Sequence, residues 1–270
     1  MFGLEPNFGC CTANMHQGWP KFVKSLWYRA EDLGLVSMVF APCSLETEAE
    51  GRKICIREET EYPFKDKITY HVEEASHENL EFGIRIPQWC TSYKLYKNGT
   101  CIKEEDHREK TGVIIPVCRG LKTGDVIRAE FSMDIERSYW FRNSMAVERG
   151  PLVYALDMKE KWKTVKEVAG VRDYEVYPES AWNYALDENP DFEVSINSVG
   201  ETPFSKAHPP VKLKTKGRRL DAWELEANSA GTLPTSPVRP DGEEEEIALI
   251  PYGCTKLRVS QFPWYINEDR

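Results

Sequence analysis

From Gly34 onward, apolar and polar residues mostly alternate with a period of two. Residues 53–59 set Ile54 and Ile56 against Arg57, and residues 67–73 set Ile68, Tyr70 and Val72 against Thr69, His71 and Glu73. This is the alternation of antiparallel strands with one face buried. Leu80, Phe82, Ile84 and Ile86 continue it up to Pro87, and residues 92–96 run into Asn98-Gly99, whose tolerance of positive φ marks a two-residue hairpin. Further strands are predicted at 113–117, 125–133 and 144–157, with turns at Gly124-Asp125 and Arg149-Gly150-Pro151. Short strands with turn signals about every ten residues, and no crossover helices between them, predict a β-sandwich rather than an α/β sheet. Ile84, Ile86, Val126, Phe131, Leu152 and Tyr154 are expected to face inward.

The residues before Gly34 follow a different rhythm. Met15, Trp19, Phe22, Val23, Leu26 and Trp27 recur at spacings of three and four, the apolar face of a helix, with a break expected near Gly18 because of Pro20. Beyond residue 157 the pattern loosens. Residues 159–166 form a charged connector, and 177–210 read as loops pinned by Trp182, Tyr184 and Phe192. Strands are expected at 192–199, 211–216 and 222–225, with a solvated acidic loop around Glu243–Glu246. Two closing strands are expected within 247–262. The predicted organisation is a helical segment at 1–34, a β-sandwich at 35–157 and a second β-rich region, partly loops, at 158–270.

The chain's 270 residues are enough for a substantial core, and no apolar run approaches the length of a membrane span. A formal charge of −9 disfavours nucleic acid, whose phosphates require a basic surface. The opening Met1-Phe2-Gly3-Leu4-Glu5-Pro6 lacks the basic and apolar regions of a signal peptide, so a cytoplasmic location is expected. The sequon at Asn98-Gly99-Thr100 then reads as a turn rather than a glycosylation site.

Cysteines fall at 10, 11, 43, 55, 90, 101, 118 and 254. With strand-like neighbours around most of them, they read as buried thiols in a reducing compartment. Cys10 and Cys11 differ, because they directly precede the helical run, with Thr12 and Asn14 as N-cap choices. A thiolate is both nucleophile and metal ligand, and a helix start favours its charge. Two small hydrophobes packed at a helix start would look the same in sequence. No CxxC spacing is present, so a self-contained zinc site is not signalled.

In order along the chain, GCCTANMHQGWPK, LEFGIRIPQW, YKNG, TGDVIRAEFSMDI, VERGPLVYALD and LIPYGCTKLRVSQFP resemble the C-terminal part of glycoside hydrolase family 127, the β-L-arabinofuranosidases. The likeness is thinnest between Trp162 and Pro237. The resemblance implies a mainly β fold, antiparallel sandwich domains preceded by a terminal helix left over from an (α/α)6 catalytic barrel. It implies a retaining glycosidase acting on β-L-arabinofuranosides or similar pentosides. It also implies a zinc-bound cysteine nucleophile in place of the usual carboxylate, with Cys10 as the nucleophile and Cys10 and Cys11 as zinc ligands. A further glutamate and cysteine of the zinc site, and the acid/base glutamate, would come from the barrel. Glu5 matches no motif. The chain alone is therefore expected to be inactive, its partners being a carbohydrate substrate and the missing barrel portion or a homodimer partner.

Asn14, His16, Gln17 and Trp19 lie near the cysteine pair, and His16 reads as a surface or helix-packing residue or as the lining of a sugar subsite. The alternative function is a non-catalytic sandwich module for dimerisation, barrel support or carbohydrate binding. Trp140, Phe141 or Trp182 would serve the last of these, although core packing is the expected role of all three. Without a barrel, the Trp19, Phe22, Leu26 and Trp27 face is expected to be at least partly exposed.

Overall fold

A computed structural model describes residues 3, 9–31, 34–49, 51–106 and 112–267. The chain divides into two compact units, residues 13–134 and residues 135–270 together with 1–12.

The opening is helical in short pieces. These are α1 (Gly9–Asn14), a single 3-10 turn (Met15–Gln17) and α2 (Gly18–Lys24). Pro20 sits in the first turn of α2, where its missing N–H would have no intrahelical acceptor, so it is tolerated there. The helix begins at Gly9, earlier than expected, so neither Thr12 nor Asn14 caps α1. It also stops earlier, because Trp27 opens a strand rather than closing a helix.

In the first unit the strands are β1 (Trp27–Ala30), β2 (Gly34–Ser37), β3 (Cys43–Ala49), β4 (Arg52–Thr60) and β5 (Lys67–Glu74). They continue with β6 (Ser76–Arg85), β7 (Tyr93–Lys97), β8 (Thr100–Glu105), β9 (Ile114–Lys122) and β10 (Val126–Phe131). They form a sheet ordered β1-β2-β6-β9 and a sheet ordered β3-β4-β5-β10-β7-β8. All pairings are antiparallel except β2 with β6. Leu35, Phe82, Ile84 and Ile115 from the first sheet share one buried cluster with Ile56, Tyr70, Leu95 and Phe131 from the second. That shared core makes the pair of sheets a sandwich.

The β7–β8 turn has φ values of 50° at Asn98 and 81° at Gly99, the positive-φ pair read from sequence. Gly34 is required for a second reason, since a Cβ there would lie 2.2 Å from the Glu81 carbonyl oxygen on the neighbouring strand. Of the six inward-facing residues expected, Val126 is the exception at 37% exposure. On β10 the buried phase is Ile127, Ala129 and Phe131, which necessarily turns Val126 outward.

The second unit contains β11 (Ile135–Tyr139), β12 (Met145–Arg149), β13 (Leu152–Leu156), β14 (Glu160–Val168), β15 (Val171–Pro178) and β16 (Tyr184–Asp187). It continues with β17 (Glu193–Ile196), β18 (Val211–Arg219), β19 (Leu225–Glu226), β20 (Ser229–Ala230), β21 (Glu244–Pro251) and β22 (Trp264–Tyr265). The main sheet runs β11-β12-β13-β21-β18-β16-β22, with β17 also on β18. Residues 135–157, expected in the first sandwich, belong here instead, because β13 pairs with β21.

Three further differences from expectation have local causes. The charged connector is half of the β14–β15 hairpin, closed at Ala169-Gly170 with φ of 50° and 80°. The acidic run enters β21, where Glu244 and Glu246 lie opposite β18 and form ion pairs with Lys216 and Lys214. Residues 257–260 form no strand, although Val259 accepts a backbone hydrogen bond from Leu156 at 2.8 Å.

Candidate functional site

Cys10 and Cys11 lie in the first turn of α1, both exposed, with their Sγ atoms 3.8 Å apart. Within this chain neither is packed as a buried hydrophobe. Two thiolates on a tetrahedral zinc, each at about 2.3 Å, are separated by about 3.8 Å, so the pair suits two corners of such a site. Among the described residues no cluster of three or more His, Cys, Asp or Glu side chains is placed to hold a metal. Glu5 lies outside the described residues.

The other residues named near the pair continue the helical opening. Gln17 donates to Asn14 Oδ1 at 2.8 Å, and His16 is exposed. Trp19 stacks on Phe22 with ring centroids 5.6 Å apart, and this face is open to solvent, with Met15 79% and Trp19 70% exposed. Leu26 and Trp27 depart from the expected exposure. Leu26 is buried, and Trp27 packs edge-on to Tyr70 at 5.6 Å and donates from Nε1 to Cys43 Sγ at 3.4 Å. Both lie past the end of α2, where the chain has turned into the sandwich.

All eight cysteines are thiols rather than disulfides. Only Cys90 and Cys254 are buried, and burial pushes each of their thiols up to about 11. Cys101 is exposed because it stands on β8, the edge strand of its sheet.

Sequence reasoning missed Glu58. It shares the buried phase of Ile54 and Ile56 on β4, and desolvation pushes its carboxyl up to about 8. Its Oε1 accepts from the Ala41 N–H at 3.1 Å, its Oε2 faces Cys43 Sγ at 3.8 Å, and nearby Tyr70 donates to Ser37 Oγ at 2.9 Å. The signal was available as a charged residue at an inward position. Glu58 is only 2% exposed, and we assign it a structural role.

Among the aromatic residues proposed for sugar binding, Trp140 and Phe141 are 59% and 63% exposed, contrary to the expected core packing. They sit at the corner between β11 and β12, where Arg142 and Asn143 take φ of 55° and 57°. The corner is held by Trp140 Nε1 donating to Ser138 Oγ at 2.7 Å and by Trp264 Nε1 donating to the Asn143 carbonyl at 2.7 Å. Trp182 is half-buried, edge-on to Trp223 at 4.9 Å.

The family described as beta-L-arabinofuranosidase, GH127 middle domain, matches residues 34–133, which lie within the first unit. A structure titled glycoside hydrolase aligns with a TM-score of 0.68 at 19% identity, over 97% of this chain and 40% of its own. A GH127 beta-L-arabinofuranosidase from Geobacillus stearothermophilus T6 aligns with a TM-score of 0.64 at 22% identity, over 94% of this chain and 37% of its own. A further GH127 beta-arabinofuranosidase aligns with a TM-score of 0.64 at 18% identity, over 96% and 39%. At these identities the likeness is one of fold, and the chain spans about two fifths of the length of those structures. No curated protein matches the chain. Among the described residues no helix is long and apolar enough to cross a membrane. The family match over residues 34–133 and the fold shared along most of the chain make it similar to part of a glycoside hydrolase family 127 protein, the likeness to that family's middle domain lying within the first unit.

Proposed function

We propose that this chain is the C-terminal portion of a retaining glycoside hydrolase that acts on β-L-arabinofuranosides or similar pentosides, with Cys10 as nucleophile. The observation that carries the reading is the exposed pair of adjacent thiols, 3.8 Å apart, at the head of a chain with this family's fold. Cys10 and Cys11 would hold zinc, which keeps thiols deprotonated when bound. The Cys10 sulfur attacks the anomeric carbon and the glycosidic oxygen departs with a proton from an acid. Water then cleaves the carbon–sulfur bond, returning the configuration to its starting hand. The acid/base carboxyl and the remaining zinc ligands belong to a barrel portion, so residues 1–270 alone bind zinc weakly and do not turn over substrate.

A second reading, a non-catalytic module that supports a barrel, dimerises or binds carbohydrate, is favoured by the exposed Trp140 and Phe141. The deciding measurement is zinc content and aryl β-L-arabinofuranoside hydrolysis on purified residues 1–270. Substoichiometric zinc and no turnover are expected. Stoichiometric zinc with turnover lost in Cys10→Ser would overturn the claim that the chain depends on a barrel. Full activity in Cys10→Ser of a barrel-containing protein would remove Cys10 as nucleophile.

A further inference from the structure

The second unit carries a concave surface separate in sequence from the cysteine pair. One wall is β15, another is the β19–β20 hairpin, and the third is the segment 256–259; together they enclose a cleft of about 430 Å³. That volume is at the smaller end of the usual range for small-ligand sites, roughly 300–1,000 Å³.

The walls are fixed before any ligand arrives. Glu160 Oε1 accepts from the Lys256 N–H at 3.1 Å and from Thr255 Oγ1 at 2.9 Å, which ties the third wall to the start of β14. The hairpin wall is anchored by Trp223 Nε1 donating to the Gly231 carbonyl at 2.9 Å. Buried Trp223 in turn holds Trp182, which lines the cleft, in an edge-on contact at 69°. A ring so held presents apolar area with little ordering left to be done on binding.

The lining chemistry narrows the ligand. Trp182 and Tyr177 supply aromatic surface, while Asn228, Ser229 and Lys256 supply polar groups at the rim. Among the described residues the side chains of these three make no hydrogen bond or ion pair, so they are open to an incoming group. Glu175, by contrast, is engaged by the Tyr177 hydroxyl at 2.7 Å and by Lys163 at 3.6 Å, which lowers its carboxyl below the ordinary value. A ligand with one flat face of C–H bonds and a rim of hydroxyls uses both halves of this lining. A simple anion would leave the aromatics unused, and an apolar molecule would strand the rim.

We infer that this cleft binds a short neutral saccharide, with Trp182 as the ring platform and Asn228 and Lys256 as hydroxyl partners. The choice of saccharide over other polyols rests on the carbohydrate-active reading above, whereas the cleft itself does not involve the cysteines.

The test titrates purified residues 1–270 with L-arabinose and with arabino-, xylo- and galacto-oligosaccharides, read by tryptophan fluorescence and saturation-transfer NMR. Saturable binding of at least one is expected, weakened about tenfold in Trp182→Ala. The double variant Asn228→Gly/Lys256→Ala, in which glycine keeps the positive φ of 60° at 228, should weaken it comparably without altering thermal unfolding, which guards against a folding defect in Trp182→Ala. Trp162→Ala, on β14 and outside the lining, and Cys10→Ser/Cys11→Ser should bind normally. Absence of saturable binding across the panel overturns the inference, as does binding indifferent to both cleft variants. Binding lost in the cysteine variant alone also overturns it while leaving the glycosidase reading intact. Trp182-dependent binding alongside a barrel-containing protein that hydrolyses no glycoside upholds the cleft and removes that reading instead.

Discussion

The helical opening, residues 9–24, and the first sandwich, residues 34–133, carry comparably clear apolar patterns and meet opposite fates. In the sandwich the inward phase of each strand finds a facing sheet, and Ile54, Tyr70, Phe82 and Leu95 are fully buried. In the opening, Met15, Trp19 and Val23 hold the apolar face of α2 and the preceding turn, yet remain exposed. Periodicity states which side of an element wants to leave water; burial needs a second surface to receive it. An exposed apolar face of this kind marks an interface or a liability to aggregate.

The contrast is broken most directly by truncating one aromatic on each side. Phe131→Ala should cost about 4 kcal/mol in urea unfolding, from lost burial and the cavity left behind. Trp19→Ala should cost less than about 0.5 kcal/mol in the same measurement and reduce self-association by light scattering. A loss at Trp19 as large as that at Phe131 would show that the face is covered in solution.

A second test lies inside the sandwich. The Glu58 carboxyl is raised to about 8 in the folded protein, above its ordinary value of 4.5, so the folded state holds a proton that the unfolded state releases. Its contribution is fully present below the unfolded value and is lost as pH rises through the folded one. Stability should therefore fall by on the order of 3 kcal/mol between about pH 5 and pH 8. Glu58→Gln, which mimics the protonated acid, should flatten that part of the profile. An unchanged slope in Glu58→Gln would assign the pH dependence elsewhere.

Smaller effects sharpen the comparison. Gly99→Val places a branched side chain at positive φ in the β7–β8 turn and should cost about 1 kcal/mol or somewhat more, seen as a lower thermal midpoint. Cys10→Ser and Cys11→Ser, on the exposed first turn of α1, should change stability by less than about 1 kcal/mol. Each should nonetheless lower zinc retention by equilibrium dialysis, since serine is a poorer ligand for zinc than thiolate. Stability and zinc retention would thus separate scaffold from site.

Much of the sandwich was legible along the chain. Alternation located β4, β5, β6 and β10, and Asn98-Gly99 fixed a hairpin, because strand phase and positive φ are local properties. Val126 shows the limit of that reading, since an apolar residue adjacent to a buried phase looks inward until Ile127, Ala129 and Phe131 set the register. The cysteine pair was legible as a candidate from its adjacency and its place before a helix. Its exposure was not, because α1 starts at Gly9 and nothing in the order of residues says what lies over it.

What the sequence determined by itself was the β class of the fold, turns such as Asn98-Gly99 and the family likeness, all of which follow from short-range pattern. Tertiary structure alone decided that β13 pairs with β21 and so leaves the first sandwich, that Glu58 is sealed from water, and that Trp140 and Phe141 are exposed. Tertiary structure also brought Tyr177, Trp182, Asn228 and Lys256 around one cleft. These are relations between residues distant along the chain, set by which surfaces meet, and no local periodicity encodes them.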